Sequence, residues 1–330
     1  MEFGGYDLPI GVTAYRFLYH SRSAAGEDVA SSGVILVPYK KAPAGGWPAI
    51  AWAHEANGVA RQCAPSLQRN LQHGPLLSMY VNLGYAVVAT DYSGLGTKFR
   101  NAGADSLSNA WDVIYAIPAA RSAMHELGSK WVAIGTGEGG RAAVTVAELE
   151  HGLHDPNYLG SIAVPRLADL QDRYETTSTF STTSALQLAY GVKSIFPKFE
   201  VKEILTDPGL SLYEKMGQTC DENSQKIEPE TFLTPNWRNN PLVRQYFSRN
   251  RLGLTPAAGP LFVASSADDL SIKVTNRIVA QLCKQGDRVQ FQKYPEYDPG
   301  RVIGDSVTDQ MNWIQARFVG RVTPSDCPTK

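Results

Sequence analysis

Residues 131–140 read WVAIGTGEGG, four apolar side chains followed by glycines, one threonine and one acid. The apolar run Trp131–Ile134 is typical of a buried strand. The glycines permit a sharp turn, because glycine adopts backbone conformations that other residues avoid. The stretch therefore predicts a buried strand that turns abruptly into a helix, with Gly137 at the turn.

Other apolar segments recur along the chain and alternate with helical patterns. Val12–His20 alternates and Val34–Val37 is apolar throughout, which predicts an antiparallel pair that opens the sheet. Five further segments are predicted strands: 48–53, 86–90, 159–164, 261–264 and 289–291. Helical patterns cover 106–127, which begins with a serine suited to capping, 274–282 and 307–318. Apolar strands alternating with helices predict an α/β fold, with a mostly parallel central sheet and helices on both faces.

The segment 167–251 breaks this rhythm, with little strand pattern, several aromatics and many serines and threonines. Loops at the carboxyl ends of parallel strands build the binding site in such folds, so we predict a cap that shapes the pocket. The alternative is a helical excursion that only packs on the core. The predicted division is a first core part at 1–166, the cap or lid at 167–251 and a second core part at 252–330.

The 330-residue chain carries a formal net charge of -1, with 43% hydrophobic and 19% charged residues. This balance is typical of a globular protein and favours no polyanion, so we expect no nucleic-acid partner. No apolar run approaches the length of a membrane span, and the first residues lack the pattern of a signal peptide. We expect no membrane partner and a cytoplasmic protein, with a mature secreted form as the alternative. The oligomeric state stays open.

The four cysteines stand far apart, at positions 63, 220, 283 and 327. The chain contains no C-x-x-C, so we expect neither a zinc site nor a redox pair, and no other metal. Four cysteines allow three pairings, and buried free thiols are the alternative. Spacing alone does not choose between these possibilities.

Six short motifs occur in order along the chain: GWP at 46–48, AWAH at 51–54, QCAPS at 62–66, DYSGLG at 91–96, the glycine turn, and ADD at 267–269. Through them the chain resembles the secretory-lipase branch of the α/β-hydrolases over nearly its whole length. The resemblance implies an α/β-hydrolase fold with an inserted helical cap. It also implies disulfides between Cys63 and Cys220 and between Cys283 and Cys327, since relatives usually carry disulfides.

The chain departs from this family at the catalytic residues. In that fold a serine at the turn is followed along the chain by an acid and then a histidine. Here Gly137 stands at the serine position, Asp268 at the acid position and Pro299 at the histidine position, and all six histidines lie at or before residue 154. Glu55 stands where the family has a glycine after His54, and an inward carboxylate would repel an oxyanion. The resemblance thus implies a hydrolase scaffold with a degenerate triad, unsuited to acyl transfer.

The glycine turn also matches G-x-G-x-x-G at 135–140, the fingerprint of dinucleotide binding when it follows a strand. That fingerprint expects an acidic residue about 20 positions further on, at the end of the next strand. The next strand ends in Ala163, Val164 and Pro165 without a carboxylate, and the motif lies in the middle of the chain. We therefore expect no nicotinamide or flavin, and no other cofactor.

Eight residues are candidates for the site. The expected catalytic residues are Asp268, Glu138, His54 and Glu55, and the expected substrate-binding residues are Gly137, Tyr92, Tyr297 and Pro299. Each catalytic candidate has a structural alternative. Asp268 is suited to capping the next helix, and Glu138 to the first turn of a helix, where the macrodipole favours a carboxylate. His54 is suited to a buried hydrogen bond, and Glu55 to an exposed position.

A carboxyl group in an apolar, capped pocket has its pKa raised by desolvation, so that it exchanges a proton near neutral pH. Such a site suits isomerisation, cyclisation, carbon–carbon bond formation or epoxide opening. We predict a cofactor-free, non-hydrolytic acid–base enzyme that acts on a large apolar or aromatic intermediate, and the resemblance implies a role in natural-product or antibiotic biosynthesis. Two alternatives remain, a pseudoenzyme that binds a hydrophobic small molecule and a lipase or esterase with a rearranged site.

Overall fold

The computed structural model of the chain describes residues 5–23, 25–164, 167–168, 170–175, 180–220, 226–227, 229–267, 272–295 and 299–328. Within these ranges ten strands form one eight-stranded sheet and one two-stranded ribbon. The strands are β1 (Val12–Arg22), β2 (Asp28–Pro38), β3 (Trp47–Ala53), β4 (Ala86–Thr90), β5 (Leu127–Thr136), β6 (Tyr158–Val164), β7 (Phe180–Ser181), β8 (Lys226–Ile227), β9 (Leu261–Ser266) and β10 (Val289–Tyr294).

The large sheet has the strand order β1-β2-β4-β3-β5-β6-β9-β10, and the ribbon pairs β7 with β8. β1 and β2 are antiparallel to each other, and β2 is antiparallel to β4. From β4 to β10 every neighbouring pair in the large sheet is parallel. The predicted antiparallel opening pair and the mostly parallel sheet are therefore both confirmed.

Ten α-helices connect the strands in the described residues. They are α1 (Gly74–Asn82), α2 (Ser106–Ala123), α3 (Glu138–Leu153), α4 (Leu170–Glu175), α5 (Thr182–Ile195), α6 (Asp207–Met216), α7 (Pro241–Arg249), α8 (Ile272–Gln285), α9 (Pro299–Asp305) and α10 (Val307–Phe318). None of them combines the length and the apolar character needed to cross a bilayer.

Helices cover both faces of the sheet, because the parallel strands are apolar on both sides. Ala51 belongs to the core that includes Val113 of α2 and Val144 of α3. Ile50 directly precedes Ala51 in β3 and points to the other face of the sheet. It belongs to the core that includes Leu77 of α1. Successive side chains of a strand point to opposite faces, so the continuous apolar pattern of β3 reflects burial on both sides.

The helix predicted over 106–127 is shorter than expected and has a different cap. α2 ends at Ala123, because Leu127 already begins β5. The N-cap is Asp105, whose carboxylate accepts a hydrogen bond from the backbone N–H of Ser108 at 2.8 Å. Ser106 lies inside the first turn, and its hydroxyl donates to the amide oxygen of Asn250 at 2.9 Å. The acid, rather than the serine, therefore satisfies the helix end.

The chain between β6 and β9 contributes four helices, α4 to α7, and the ribbon of β7 and β8. Its core contains aromatic rings, with Tyr174 5.6 Å from Phe247 and 6.2 Å from Trp237 between ring centroids. Ala102 and Ala104, from the loop after β4, join the same apolar cluster. The segment therefore packs directly on that loop. That it is a separate cap over 167–251 stays a prediction.

Both disulfides implied by the resemblance are present. Cys63 is bonded to Cys220, and Cys283 is bonded to Cys327, with Cα–Cα distances of 5.3 and 5.1 Å. The first disulfide ties the loop after β3 to the chain that follows α6, and the second ties α8 to the C-terminal segment. The prediction of these two pairings is therefore confirmed.

Candidate active site

The glycine turn between β5 and α3 has a backbone that favours glycine. Gly137 is the N-cap of α3, with φ 53° and ψ -113°, and its N–H donates to the carbonyl of Val164 at 2.8 Å. A Cβ at Gly139 would lie 2.0 Å from the carbonyl oxygen of Ala53, so α3 approaches the end of β3 too closely for a side chain there. The abrupt strand-to-helix turn is therefore confirmed, and its geometry depends on these two glycines.

Glu55 fills the space in front of this turn. A Cβ built on Gly137 would lie 3.2 Å from Cβ of Glu55 and 3.6 Å from its Oε2. A side chain at position 137 would therefore start against the Glu55 side chain. Because Gly137 caps α3, the carboxylate also lies close to the partially positive end of a helix, which favours a negative charge.

Glu55 forms an ion pair with His73. Oε1 of Glu55 lies 3.2 Å from Nε2 of His73, and the two side chains are 41% and 18% exposed. The close approach of the His73 imidazole lowers the pKa of Glu55, and this effect outweighs the desolvation that would raise it. The expectation of a raised pKa is wrong for this carboxyl group, because an imidazole rather than an apolar wall faces it. Glu55 is therefore an anion at neutral pH and is suited to accepting a proton rather than donating one.

His73 was not among the candidates that the sequence supplied. It directly precedes α1, and the two residues before it, Leu71 and Gln72, have left-handed φ values of 51° and 62°. Two consecutive non-glycine residues in this region are costly and are often found at functional sites. The ring of His73 also lies edge-on to Trp52 of β3, at 5.7 Å between centroids. A histidine directly before a Gly-Pro helix start was the available signal, and it is a weak one.

His54 is buried, at 2% exposed, and both of its ring nitrogens face backbone carbonyls. Nδ1 lies 2.6 Å from the carbonyl oxygen of Glu55 and Nε2 lies 3.2 Å from that of Asp91. Burial lowers the pKa of His54, and the two backbone carbonyls oppose this shift. This is the structural role that the sequence left open for His54, and a catalytic role stays a prediction.

Tyr92 packs against the imidazole ring of His54. Its ring stacks on the imidazole at 4.1 Å between centroids, and its hydroxyl donates to the carbonyl of His54 at 2.9 Å. The residue has a left-handed φ of 66°, and its N–H donates to Oγ1 of Thr90. The hydroxyl is therefore already occupied, and contact with a substrate stays a prediction for Tyr92.

Glu138 starts α3 and is 8% exposed. Asn109 donates from Nδ2 to Oε1 of Glu138 at 2.8 Å. With His54 and Tyr92 it lines a cavity of about 10 Å³. Such a volume holds about one water molecule. The other walls are Ala56, Asn57, Gly58, Leu95, Asn101, Gly103 and Gln187.

The apolar, capped pocket that the sequence predicts stays a prediction. Gln187 of α5 and the loop 56–58 both contribute walls, so α5 and the loop after β3 close the space from two sides. Glu55 is not among the described residues that line this cavity. Its carboxylate is instead accessible from solvent, at 41% exposed.

Two of the candidates, Asp268 and Tyr297, lie outside the described residues. β9 and β10 are parallel and end side by side, with Ser266 opposite Tyr294. The segments that carry the two candidates follow these strands in sequence. Pro299 is the first residue of α9, and nothing is described of its side chain. The roles assigned to all three stay predictions.

No family model and no curated protein matches the chain. The chain does match several solved structures. Lipase A from Candida antarctica in its closed state is 16% identical, with a TM-score of 0.81 over 96% of this chain and 80% of that one. The rice cell wall degrading esterase LipA from Xanthomonas oryzae is 19% identical, with a TM-score of 0.74 over 93% of this chain and 89% of that one. A putative hydrolase from Legionella pneumophila is 18% identical, with a TM-score of 0.75 over 92% of this chain and 88% of that one.

This chain has the α/β-hydrolase fold. At these identities the likeness establishes the fold alone, and it agrees with the eight-stranded sheet and the glycine turn. Within the α/β-hydrolase fold the turn between β5 and α3 is the place of the nucleophile. Here that place holds Gly137, and the side chain of Glu55 lies directly in front of it.

The site therefore offers an ionised carboxylate with an imidazole partner, beside a helix N-terminus. Nothing in the part of the chain that the structure describes groups three or more His, Cys, Asp or Glu side chains for a metal ion. The Glu55 carboxylate is suited to taking a proton, and His73 is suited to orienting it and balancing its charge. Backbone N–H groups in the first turn of α3 are suited to an oxyanion.

Proposed function

We propose that this chain is a non-hydrolytic, cofactor-independent acid–base enzyme that cyclises or isomerises a large apolar or aromatic intermediate. The observation that carries the proposal is the position of the Glu55 carboxylate. It lies 3.6 Å from where a nucleophile's Cβ would be and 3.2 Å from Nε2 of His73. A base therefore occupies the place of the nucleophile. We extend the proposal to natural-product biosynthesis, the role that the family resemblance implies.

The proposed step is abstraction of a proton from carbon. The C–H proton passes to the Glu55 carboxylate, and the electron pair moves onto a neighbouring carbonyl to form an enolate. The enolate oxygen then faces the first-turn N–H groups of α3. Return of the proton to another atom gives an isomerised product. Attack of the enolate carbon on a second carbonyl closes a ring.

The lowered pKa of Glu55 narrows the class of substrate. A carboxylate with a pKa below its usual range is a weak base, so it removes only protons that are already acidic. Carbon flanked by two carbonyl groups is acidic in this way, because the enolate charge is shared. We therefore propose polyketone or aryl 1,3-diketone intermediates as the substrates.

The test is deuterium exchange at the acidic carbon of 1-phenyl-1,3-butanedione, followed by NMR in deuterated water. We expect the protein to accelerate exchange, and Glu55→Gln to reduce that acceleration about 100-fold or more. Glu27→Gln, at an exposed glutamate of the β1–β2 hairpin, is the matched control and should leave the rate unchanged. Thermal unfolding of each variant separates lost chemistry from lost folding. Equal rates for the protein and Glu55→Gln would refute the proposal.

The second candidate is a protein that binds a hydrophobic small molecule without turnover, the alternative that the sequence left open. Saturable binding of the diketone without any deuterium exchange would support this candidate. Cleavage of p-nitrophenyl acetate that depends on Glu55 would instead support an esterase with a rearranged site.

A further inference from the structure

A second and much larger cavity lies between the sheet domain and the cap segment. It is an open cleft of about 620 Å³, formed by the loops after β3 and β4 on one side and by α5, α6 and their connection on the other. Asn101 lines both this cleft and the water-sized cavity beside Glu138. Its amide donates to the carbonyl of Ser93 at 3.0 Å, so it is a fixed wall between the two spaces.

The cleft is strongly basic although the chain as a whole has a formal net charge of -1. Its charged lining consists of four cations and one carboxylate: Arg61, Lys98, Arg100, Lys193 and Glu200. The carboxylate is held in the capping box of the short 3-10 helix Val201–Glu203 and so faces a helix end. Lys193 donates to the carbonyls of Pro197 and Phe199 at 2.9 and 2.7 Å.

Two of these four cations, Lys98 and Arg100, have no ion-pair partner among the described residues. Both are exposed, and no carboxylate of the described residues lies within ion-pairing distance of either. They belong to the loop after β4, so they lie on the sheet side of the cleft. Two unpaired cations on one wall of a cleft raise the local concentration of anions.

The opposite wall is aromatic. Tyr190 of α5 and Tyr213 of α6 stack at 4.1 Å between ring centroids. Burial raises the pKa of Tyr190 to about 12, and the charge of Arg100 opposes that rise, so the guanidinium lies within electrostatic reach of the ring. The hydroxyl of Tyr213 is buried and has no hydrogen-bond partner among the described residues. A buried, unpaired hydroxyl is costly.

We propose that this cleft binds the anionic group of an aromatic or polyketonic substrate, with Lys98 and Arg100 as its counter-ions and the tyrosine pair as its aromatic floor. The inference rests on the proposed function and adds an anionic group, a carboxylate or a phosphate ester, to its substrate class. The diketone of the exchange assay is then the reacting part of the substrate without this group.

The test measures binding to the oxidised, full-length protein by isothermal titration calorimetry. The probes are 1-naphthoate, 1-naphthyl phosphate, inorganic phosphate and the neutral 1-naphthalenemethanol. We expect both naphthyl anions to bind at least 10-fold more tightly than the neutral alcohol. The double variant Lys98→Ala with Arg100→Ala should lose that preference, whereas Lys130→Ala, at an exposed lysine of β5 outside the cleft, should keep it.

The comparison between naphthoate and naphthyl phosphate decides between a carboxylate and a phosphate ester, and inorganic phosphate reports on the anion without the ring. Equal affinity for the alcohol and the anions, or unchanged affinity in the double variant, overturns the proposal. Binding is measured without turnover, so the two proposals fail separately. Anion binding without deuterium exchange would leave the cleft assigned and refute the enzyme. Deuterium exchange without a preference for anions would support the enzyme and overturn the assignment of the cleft.

Discussion

At the scale of single residues, Glu55 and Gly137 depend on each other. A carboxylate side chain fits in front of the turn only because position 137 has no Cβ, which would approach Cβ of Glu55 to 3.2 Å. The carboxylate in turn occupies the space that a nucleophile would need. The two residues are therefore coupled in the packing of the turn, and a side chain at position 137 conflicts with Glu55 when the glutamate is kept.

We expect Gly137→Ser to destabilise the protein by about 1–3 kcal/mol, because the residue has a φ of 53° and its Cβ would press on Glu55. In a Glu55→Gly background the same change should cost roughly 0.5–1 kcal/mol less, since the contact is gone and only the backbone strain remains. Urea unfolding of the four proteins measures this coupling.

The control is Gly152→Ser in the last turn of α3, where a Cβ would meet nothing within 4 Å and the backbone is helical. It should change the free energy of unfolding by no more than about 0.5 kcal/mol. Equal costs at the two glycines would show that the turn is not the constrained position that its geometry indicates.

His73 sets the protonation of Glu55. Removing the imidazole with His73→Gln leaves the desolvation of the carboxyl group and removes the partner that lowers its pKa. We expect the pKa of Glu55 to rise, so the carboxylate becomes protonated at higher pH. The loss of exchange activity on the acidic side of the pH profile should therefore shift to higher pH. A pH profile of deuterium exchange in both proteins, with NMR titration of labelled glutamate, measures the shift. Identical pH profiles for the two proteins would show that His73 does not control the protonation of Glu55.

At the scale of elements, α2 carries a buried acid that makes stability depend on pH. Asp112 accepts hydrogen bonds from the N–H and the hydroxyl of Ser93, both at 2.7 Å, and burial raises its pKa to about 6. Between its usual value of 3.8 and about 6 the folded protein holds a proton that the unfolded chain has lost. The contribution of Asp112 to stability is therefore present at low pH and declines as the pH rises through about 6.

We expect Asp112→Asn to remove this dependence, since an amide does not titrate. Relative to the unchanged protein, the variant should gain stability between pH 4 and pH 7, by up to about 3 kcal/mol. Urea unfolding across this range tests the sign, and Asp28→Asn at an exposed position of β2 is the control. A difference that is constant with pH would contradict the assignment.

At the scale of the whole molecule, the two disulfides bear on stability and on location. Cys63–Cys220 spans 157 residues and Cys283–Cys327 spans 44. The chain-entropy relation gives about 5 and about 4 kcal/mol for such loops. Disulfides persist mainly in oxidising compartments, so their stabilising effect depends on the redox conditions. Location itself stays a prediction.

We expect Cys63→Ser with Cys220→Ser to lower the free energy of unfolding more than Cys283→Ser with Cys327→Ser, because the longer loop is released. Limited proteolysis should then cut first within 167–251, since the first disulfide ties this segment to the sheet domain. Denaturant unfolding and peptide mapping of the two double variants measure both effects. First cleavage at the C-terminal segment in both variants would contradict this role.

The sequence by itself determined the fold. Apolar strands, helical spacing and the glycine turn are local patterns, and each reflects burial along one element, so they predict elements such as β3, β5 and α10 well. The family resemblance that the motifs carry implied both disulfide pairings, and the glycine pattern placed Gly137 at the turn. Boundaries were less certain, as α2 shows, because a helix end depends on which side chain reaches its N–H groups.

Only the tertiary structure decided the chemistry of the site. His73 lies 18 positions after Glu55, and no local pattern shows that the backbone at Leu71 and Gln72 brings the two side chains within 3.2 Å. That contact reverses the direction of the pKa shift expected for a buried carboxyl group. The volume beside the turn and the charge of the neighbouring cleft also depend on how the segment between β6 and β9 packs on the loops after β3 and β4. Contacts between distant segments set protonation and space, and a sequence read one stretch at a time does not contain them.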